Sequence, residues 1–143
     1  MSFEERNTWV YLVVSVFSYG VYLASILGRW HGVPLTEVPY VATMLWMIGA
    51  AIVSAIVLII LLSIAAGIVS PKESSKKDQR DREIHRYGEY IGQSLMGIGV
   101  MAVLGMSMAK FNHFWISNGI YLTFVLSAIV GSVVKIVAYR RGF

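Results

Sequence analysis

The chain of 143 residues contains no cysteine, which excludes disulfide bonds, iron–sulfur clusters, thiolate zinc sites and lipid attachment through sulfur. Charged residues are scarce as well. They make up 14% of the chain, whereas an average globular protein has roughly a quarter. Hydrophobic residues account for 57%, which is more than one core of this size can hide from water. We therefore interpret the chain as an integral membrane protein. A soluble enzyme, a disordered protein and a nucleic-acid-binding domain are all poor interpretations.

Four predominantly apolar stretches are long enough to cross a hydrocarbon core of about 30 Å as helices. They cover about residues 9–27, 41–69, 91–111 and 115–138 of a single transmembrane domain formed by residues 1–143. The three prolines, Pro34, Pro39 and Pro71, all lie between these stretches, where helices are expected to end. The expected fold is therefore all-α, an integral membrane four-helix bundle.

The basic residues predict how this bundle is oriented. Ten of the 12 Lys and Arg residues lie before the first span, between the second and third spans, or in the last turn of the fourth span and after it. The opposite ends of the spans hold only Arg29 and Lys110. Because positively charged connections stay on the cytoplasmic side, we expect a multi-pass protein of the cytoplasmic (plasma) membrane with both termini in the cytoplasm.

The connection at residues 70–90 is the only sizeable polar segment of the sequence. Ser75, followed three residues later by Asp78, fits the start of a helix. We expect a cytoplasmic juxtamembrane helix that leads into the third span. Its six basic and five acidic side chains nearly cancel, so it does not resemble a polybasic lipid-binding stretch and instead favours contact with a protein partner. The candidate partner-binding residues are Asp81, Arg82, Arg86 and Tyr87.

This connection also carries a resemblance. It contains the run Asp78-Gln79-Arg80-Asp81-Arg82-Glu83-Ile84, and then Arg86-Tyr87-Gly88-Glu89-Tyr90 at the entry to the third span. With two apolar spans on either side, the chain resembles the small four-span prokaryotic predicted membrane proteins of unknown function. The resemblance implies a cytoplasmic-membrane protein and supplies no catalytic or ligand-binding residue.

The sequence offers few groups for catalysis or ligand binding. No Asp or Glu lies inside a span, which disfavours proton- or cation-coupled transport, and no nucleophile–base pair or phosphate-binding loop is recognisable. His31 and His113 fall on the outer side and could bind a metal or a haem. Beside Trp30 and Trp115 they also fit an interfacial aromatic belt. We therefore predict no enzymatic activity, no cofactor and no metal site.

Small residues recur at spacings of four in the spans and allow helix backbones to approach closely. This packing is expected either inside one bundle or between copies in a homo-oligomer. Two polar residues inside the spans, Gln93 and Asn118, are expected to form interhelical hydrogen bonds. The candidate packing residues with small side chains are Gly20, Ala24, Gly28, Gly105 and Gly131.

Three functions remain open at this point. The first is a non-enzymatic adaptor, regulator or accessory subunit that acts through the cytoplasmic loop helix. Embedded in the lipid bilayer, it would work as a homo-oligomer or as a subunit of a larger membrane complex, with no nucleic-acid partner. The second is a small oligomeric permease or channel for an uncharged solute, formed around Gln93 and Asn118. The third is a haem- or metal-binding membrane protein that uses His31 and His113.

Overall fold

The computed structural model describes residues 2–69 and 79–142, and these residues form four long α-helices. A 3-10 turn, Leu35–Glu37, lies between the first two helices. Each of the four helices is long enough and apolar enough to cross a membrane. The predicted all-helical fold with four candidate membrane spans is confirmed. The helices are α1 (Phe3–Gly28), α2 (Val41–Val69), α3 (Gln79–Met108) and α4 (His113–Arg141).

α1 and α3 begin six and twelve residues before the apolar stretches that predicted them. α1 begins at Phe3, because the Ser2 side chain accepts a hydrogen bond from the Glu5 amide (3.1 Å) and so satisfies a free N–H of the first turn. α3 begins at Gln79, so the charged residues 79–90 are the first turns of α3 itself and continue into its apolar part without a break. The helix start predicted at Ser75 lies outside the described residues.

A tight turn joins α3 to α4. The Lys110 amide donates to the Ser107 carbonyl and the Phe111 amide donates to the Met106 carbonyl, both at 3.1 Å. This is the Schellman pattern that closes a helix C-terminus. Lys110 adopts the left-handed conformation that the pattern requires, with φ of 61°. Asn112 then caps α4, because its side chain accepts from the Phe114 amide (2.9 Å). The turn reverses the chain, so α3 and α4 run antiparallel.

The helices stand in the order α2–α1–α4–α3. α1 packs against α2 on one side and against α4 on the other. α4 in turn packs along α3. Within residues 2–69 and 79–142, the outer helices α2 and α3 each pack extensively against one neighbour only. The bundle is therefore an open row of helices with α2 and α3 at its two edges.

Small residues bring α3 and α4 close together. The Ser127 hydroxyl donates to the Gly92 carbonyl at 2.6 Å. A Cβ atom at Gly92 would lie 3.2 Å from the Ser127 carbonyl oxygen, and one at Gly131 would lie 3.3 Å from the Gly88 carbonyl oxygen. Such contacts are already tighter than ordinary van der Waals packing, so glycine at these positions sets the distance between the helices.

The largest buried cluster lies where α1 ends and α4 begins. Tyr22 is fully buried there and packs edge-on against Tyr121, with 5.0 Å between ring centroids. Its hydroxyl donates to Oδ1 of Asn118, and the Asn118 amide donates to the Phe114 carbonyl (2.8 Å). Val38, from the connection between α1 and α2, closes the cluster. This cluster holds α1 against α4 at one end of the molecule.

The opposite end gathers the starts of α1 and α3 with the end of α4. The Arg140 guanidinium lies 3.1 Å from the Glu5 carboxylate and joins α4 to α1. The Tyr139 hydroxyl donates to Asp81 at 2.9 Å and joins α4 to α3. We call this end the polar end. Its charged side chains belong to three separate segments of the sequence, which the helix row brings together.

Candidate functional site

The polar end contains an ion pair between α3 and α4. Nζ of Lys135 donates to Oε1 of Glu89 at 2.6 Å. The Lys135 side chain is only 11% exposed, whereas that of Glu89 is 49% exposed. The lysine stem passes across Gly88, where an added Cβ would lie 2.7 Å from Cε of Lys135. Glycine at position 88 therefore makes room for the lysine, and Glu89 neutralises its ammonium.

The start of α3 has an inner and an outer face. Asp81, Ile84 and Gly88 are buried at the spacing of three and four residues that places them on one side of a helix. The other side is exposed and includes two aromatic rings, with Tyr87 at 45% and Tyr90 at 70% exposure. We define the outer face of α3 as Arg82, Glu83, Arg86, Tyr87 and Tyr90, all of which are exposed.

Three of the four predicted partner-binding residues lie on this outer face, namely Arg82, Arg86 and Tyr87. Asp81 does not. It is 4% exposed, and its carboxylate accepts from the Tyr139 hydroxyl of α4. A buried carboxylate needs a hydrogen-bond donor, and α4 provides one. Asp81 therefore belongs to the contact between α3 and α4, and not to the surface predicted for it.

A groove opens beside the ion pair. It has a volume of about 640 Å³ and lies between α1, α3 and α4. Its polar lining includes Asn7, Gln93 and Lys135, while Met96 and Phe124 line its deeper, apolar part. Gln93 is exposed on this groove wall. The groove therefore joins the charged surface of the polar end to the apolar sides of the helices.

Gln93 and Asn118 do not meet. Asn118 is engaged by Tyr22 and the Phe114 carbonyl at the buried cluster. Gln93 follows Gly92, whose carbonyl contacts Ser127, and Ser127 lies about nine residues from Asn118 along α4, or about 14 Å of helix rise. The interhelical hydrogen bond predicted for Asn118 is present in the described chain, between α1 and α4. Because Gln93 and Asn118 are this far apart, their positions do not support a polar pathway built from both residues.

The candidate histidine ligands are exposed at the end opposite the polar end. His31 lies in the connection that follows α1, and His113 is the first residue of α4. The His113 carbonyl accepts from the Tyr40 hydroxyl at 3.5 Å. In residues 2–69 and 79–142, no group of three or more histidine or carboxylate side chains is placed to hold a metal ion.

The small residues divide into two groups. Gly131 packs against Gly88 and Gly92 of α3. Gly20, Ala24 and Gly28 are exposed along α1, and Gly105 is exposed on α3. A Cβ at any of these exposed glycines would meet nothing within 4 Å. The described chain offers no partner helix to these positions, because they face away from the row of helices.

Sequence reasoning identified Gly131 as a packing residue but missed Gly88 and Gly92, the residues of α3 against which it packs. Gly88 and Gly92 are spaced by four, which is the signal of a close helix contact. Gly88 was assigned to the polar connection because its neighbours are charged. The pairing of Glu89 with Lys135 joins residues far apart in the sequence, so no local pattern predicts it. Such a pairing becomes visible only when α3 and α4 are placed side by side.

No family model matches the sequence, and no curated protein or solved structure matches it either. The function of the chain must therefore follow from its own residues. The polar end offers exposed charges of both signs, two tyrosine rings and a groove, all of which are suited to binding.

Proposed function

We propose that the chain is a non-enzymatic adaptor or accessory subunit of the cytoplasmic membrane, which binds a protein partner through the outer face of α3. The observation that carries the proposal is the position of α3 at the edge of the helix row. Within the described residues α3 packs extensively against α4 alone, so no other helix of the row covers its outer face. A partner can approach it without any rearrangement of the bundle.

The composition of the outer face suits a protein partner. Tyrosine and arginine dominate the residues that contribute most to protein–protein binding, and Tyr87 stands beside Arg86 on an exposed helix surface. Glu83 adds the opposite charge. Charges of both signs favour a partner with a complementary pattern of charge and disfavour simple attraction to anionic lipid.

The proposed orientation follows from the distribution of the basic residues. The starts of α1 and α3 and the end of α4 lie together at the polar end. The segments next to these helix ends carry ten of the 12 Lys and Arg residues. The positive-inside rule then places the polar end, both termini and the outer face of α3 in the cytoplasm. We propose that the start of α3 acts there as a juxtamembrane helix.

Photo-crosslinking tests the proposal. A photoreactive amino acid replaces Tyr87 in the full chain, and the crosslinked partner is identified after irradiation of intact cells. The variant R82E/R86E should insert normally and lose at least most of this crosslink, because the reversed charges oppose the partner. The control K76E/K77E makes the same change in net charge in the same connection but outside the outer face, and it should keep the crosslink.

A second photoreactive position distinguishes a specific partner from a protein that is nearby by chance. Ile68 on α2 is exposed on the apolar part of the bundle, and crosslinking from this position should not give the same product. If Tyr87 crosslinks only to lipid, or if R82E/R86E keeps every protein crosslink of the wild type, the outer face does not bind a protein partner and the adaptor proposal fails.

A further inference from the structure

The outer face of α3 continues along the rest of the helix. Beyond Tyr87 and Tyr90, every position reached by alternate steps of four and three residues is exposed. This spacing follows the seam along which a second helix packs. From Tyr87 to Met108 it runs for about 32 Å, which is about the thickness of a hydrocarbon core. We call the part beyond Tyr90 the membrane stripe, and it consists of Ser94, Gly97, Met101, Leu104 and Met108.

The membrane stripe belongs to the apolar part of α3. Residues 91–108 contain no charged side chain, and they are part of a helix that is apolar enough to cross a membrane. A partner confined to the water phase can reach Tyr87 and Tyr90. It cannot reach Met101, which lies about 16 Å further along the helix than Tyr90. A partner that covers the whole exposed face of α3 therefore has to enter the membrane.

The two edge helices of the row expose different residues. Along residues 52–69 of α2, the large exposed side chains are all Ile, Leu or Val, which are the residues that hydrocarbon favours. The membrane stripe of α3 instead contains Ser94 and Gly97, and the exposed Gly105 lies beside it. A glycine that faces lipid lowers helix stability, whereas a glycine that faces another helix permits close approach. The exposed residues of α3 therefore suit a protein neighbour, and those of α2 suit lipid.

The opposite face of α3 shows how the chain itself uses such glycines. Gly88, Gly92 and Gly99 all lie against α4. On the exposed face, a Cβ atom at Gly97 or Gly105 would meet nothing within 4 Å. α3 therefore carries glycines on two faces, and α4 covers only one of them. The exposed methionines of the stripe are flexible and polarizable, so they can adapt to the surface of a neighbouring helix.

A polar side chain lies beside the start of the membrane stripe. Gln93 is exposed, and among residues 2–69 and 79–142 it has no hydrogen-bond partner. Its neighbours on both sides along α3, Ile91 and Leu95, are apolar. Lipid chains offer no donor or acceptor to an amide, whereas a neighbouring membrane helix can provide either one. Gln93 therefore also favours a protein neighbour over lipid.

We propose that the protein partner of the outer face is an integral membrane protein, and that one of its spanning helices packs along the membrane stripe of α3. This inference rests on the proposed adaptor function and specifies the class of its partner. The partner's helix approaches closely at Gly97 and contacts Met101 inside the membrane. The segment that leads out of this helix contacts Arg86 and Tyr87 at the polar end.

Photo-crosslinking from two depths of α3 tests this inference. A photoreactive amino acid replaces Tyr87 in one variant of the full chain and Met101 in another, and both are irradiated in intact cells. The two positions should give the same partner. Peptide mapping of the Met101 product should place the crosslink inside an apolar stretch of about 20 residues of that partner. The same replacement at Ile60, which is exposed on α2, should give lipid products and not this partner.

Leucine in place of two exposed glycines gives a matched pair of variants. Gly97→Leu should lower the yield of the partner crosslink from Tyr87 and from Met101 about tenfold, because the added side chain forces the two helices apart. Gly49→Leu makes the same change on α2 and should keep the full yield. A Cβ at either glycine meets nothing within 4 Å in the described chain. Thermal unfolding in one detergent should therefore be the same for both variants and the wild type.

Three results would overturn the inference. The first is a protein product from Tyr87 with only lipid products from Met101, which would mean that the partner stays outside the membrane. The second is a crosslinked dimer of the chain from Met101, since a second copy would then cover the stripe. The third is an unchanged partner crosslink in Gly97→Leu. The first and third results leave the adaptor proposal intact, whereas the absence of any protein product from Tyr87 contradicts that proposal itself, so the two failures are distinguishable.

Discussion

The ammonium of Lys135 on α4 reaches across Gly88 to the carboxylate of Glu89 on α3, at 2.6 Å. The two ends of this ion pair differ in exposure. The lysine is nearly buried, whereas half of the glutamate side chain is exposed. The two single neutralisations are therefore not equivalent, because only one of them leaves a buried charge without a partner.

Glu89→Gln should lower the free energy of unfolding by about 1–3 kcal/mol, because it leaves the buried ammonium of Lys135 without an opposite charge. Lys135→Met should cost less, since the carboxylate that remains can be hydrated. The double variant should be no less stable than Glu89→Gln alone. Chemical unfolding in detergent measures all three. Equal losses for the two single variants would show that the pair is fully hydrated and contributes little.

Gly92→Leu should destabilise the chain by about 1–3 kcal/mol, because the added side chain has to displace the backbone of α4 at Ser127. Gly105→Leu makes the same change on the same helix, where nothing lies within 4 Å. It should leave the unfolding transition unchanged. The comparison uses thermal unfolding in one detergent. If Gly105→Leu is the more damaging of the two, the contact between α3 and α4 differs from the one described.

Tyr22→Phe removes the hydroxyl that donates to Asn118 and keeps the ring in the buried cluster. We expect a loss of about 0.6–1.7 kcal/mol, the range found for hydrogen bonds between membrane helices. Tyr11→Phe on the same helix is the control, because Tyr11 is exposed. Unfolding in denaturant measures both losses. A loss for Tyr11→Phe as large as that for Tyr22→Phe would count against the hydrogen bond as the cause.

Single cysteines test the proposed orientation without background labelling, because the chain has none of its own. Cysteine at Ser2 or Ser75 should resist a membrane-impermeant thiol reagent in intact cells and react after lysis. Cysteine at Val33, in the connection that follows α1, should react in intact cells. Labelling of the Ser75 variant from outside would show that the chain has the opposite orientation, with the outer face of α3 outside the cytoplasm.

The four helices were predictable because the cost of burying backbone polar groups in hydrocarbon forces apolar stretches of this length into helices. The positions of individual side chains were less predictable. Asp81 stands in a charged run and was expected on the surface. Its donor, Tyr139, lies on another helix, and the charge pattern of the run does not point to it. A partner on another helix decides which face of α3 is buried.

The sequence also does not predict which small residues lie in contacts between helices. Gly20, Ala24 and Gly28 have the same spacing as Gly88 and Gly92. Among the residues that the structure describes, only Gly88 and Gly92 lie against another helix. Spacing tells which residues permit a close approach. It does not tell which helix is adjacent, since that depends on the order of the helices in the row.

The helix order α2–α1–α4–α3 makes the molecule two antiparallel hairpins that meet along one seam. α1 packs with α2, and α3 packs with α4, so each hairpin can form from residues that are neighbours in the sequence. The seam between α1 and α4 cannot form until nearly the whole chain has been synthesised. Tyr22 belongs to the first hairpin, but its partner Asn118 belongs to the second. The hydrogen bond between them can therefore form only after the start of α4 has been added to the chain.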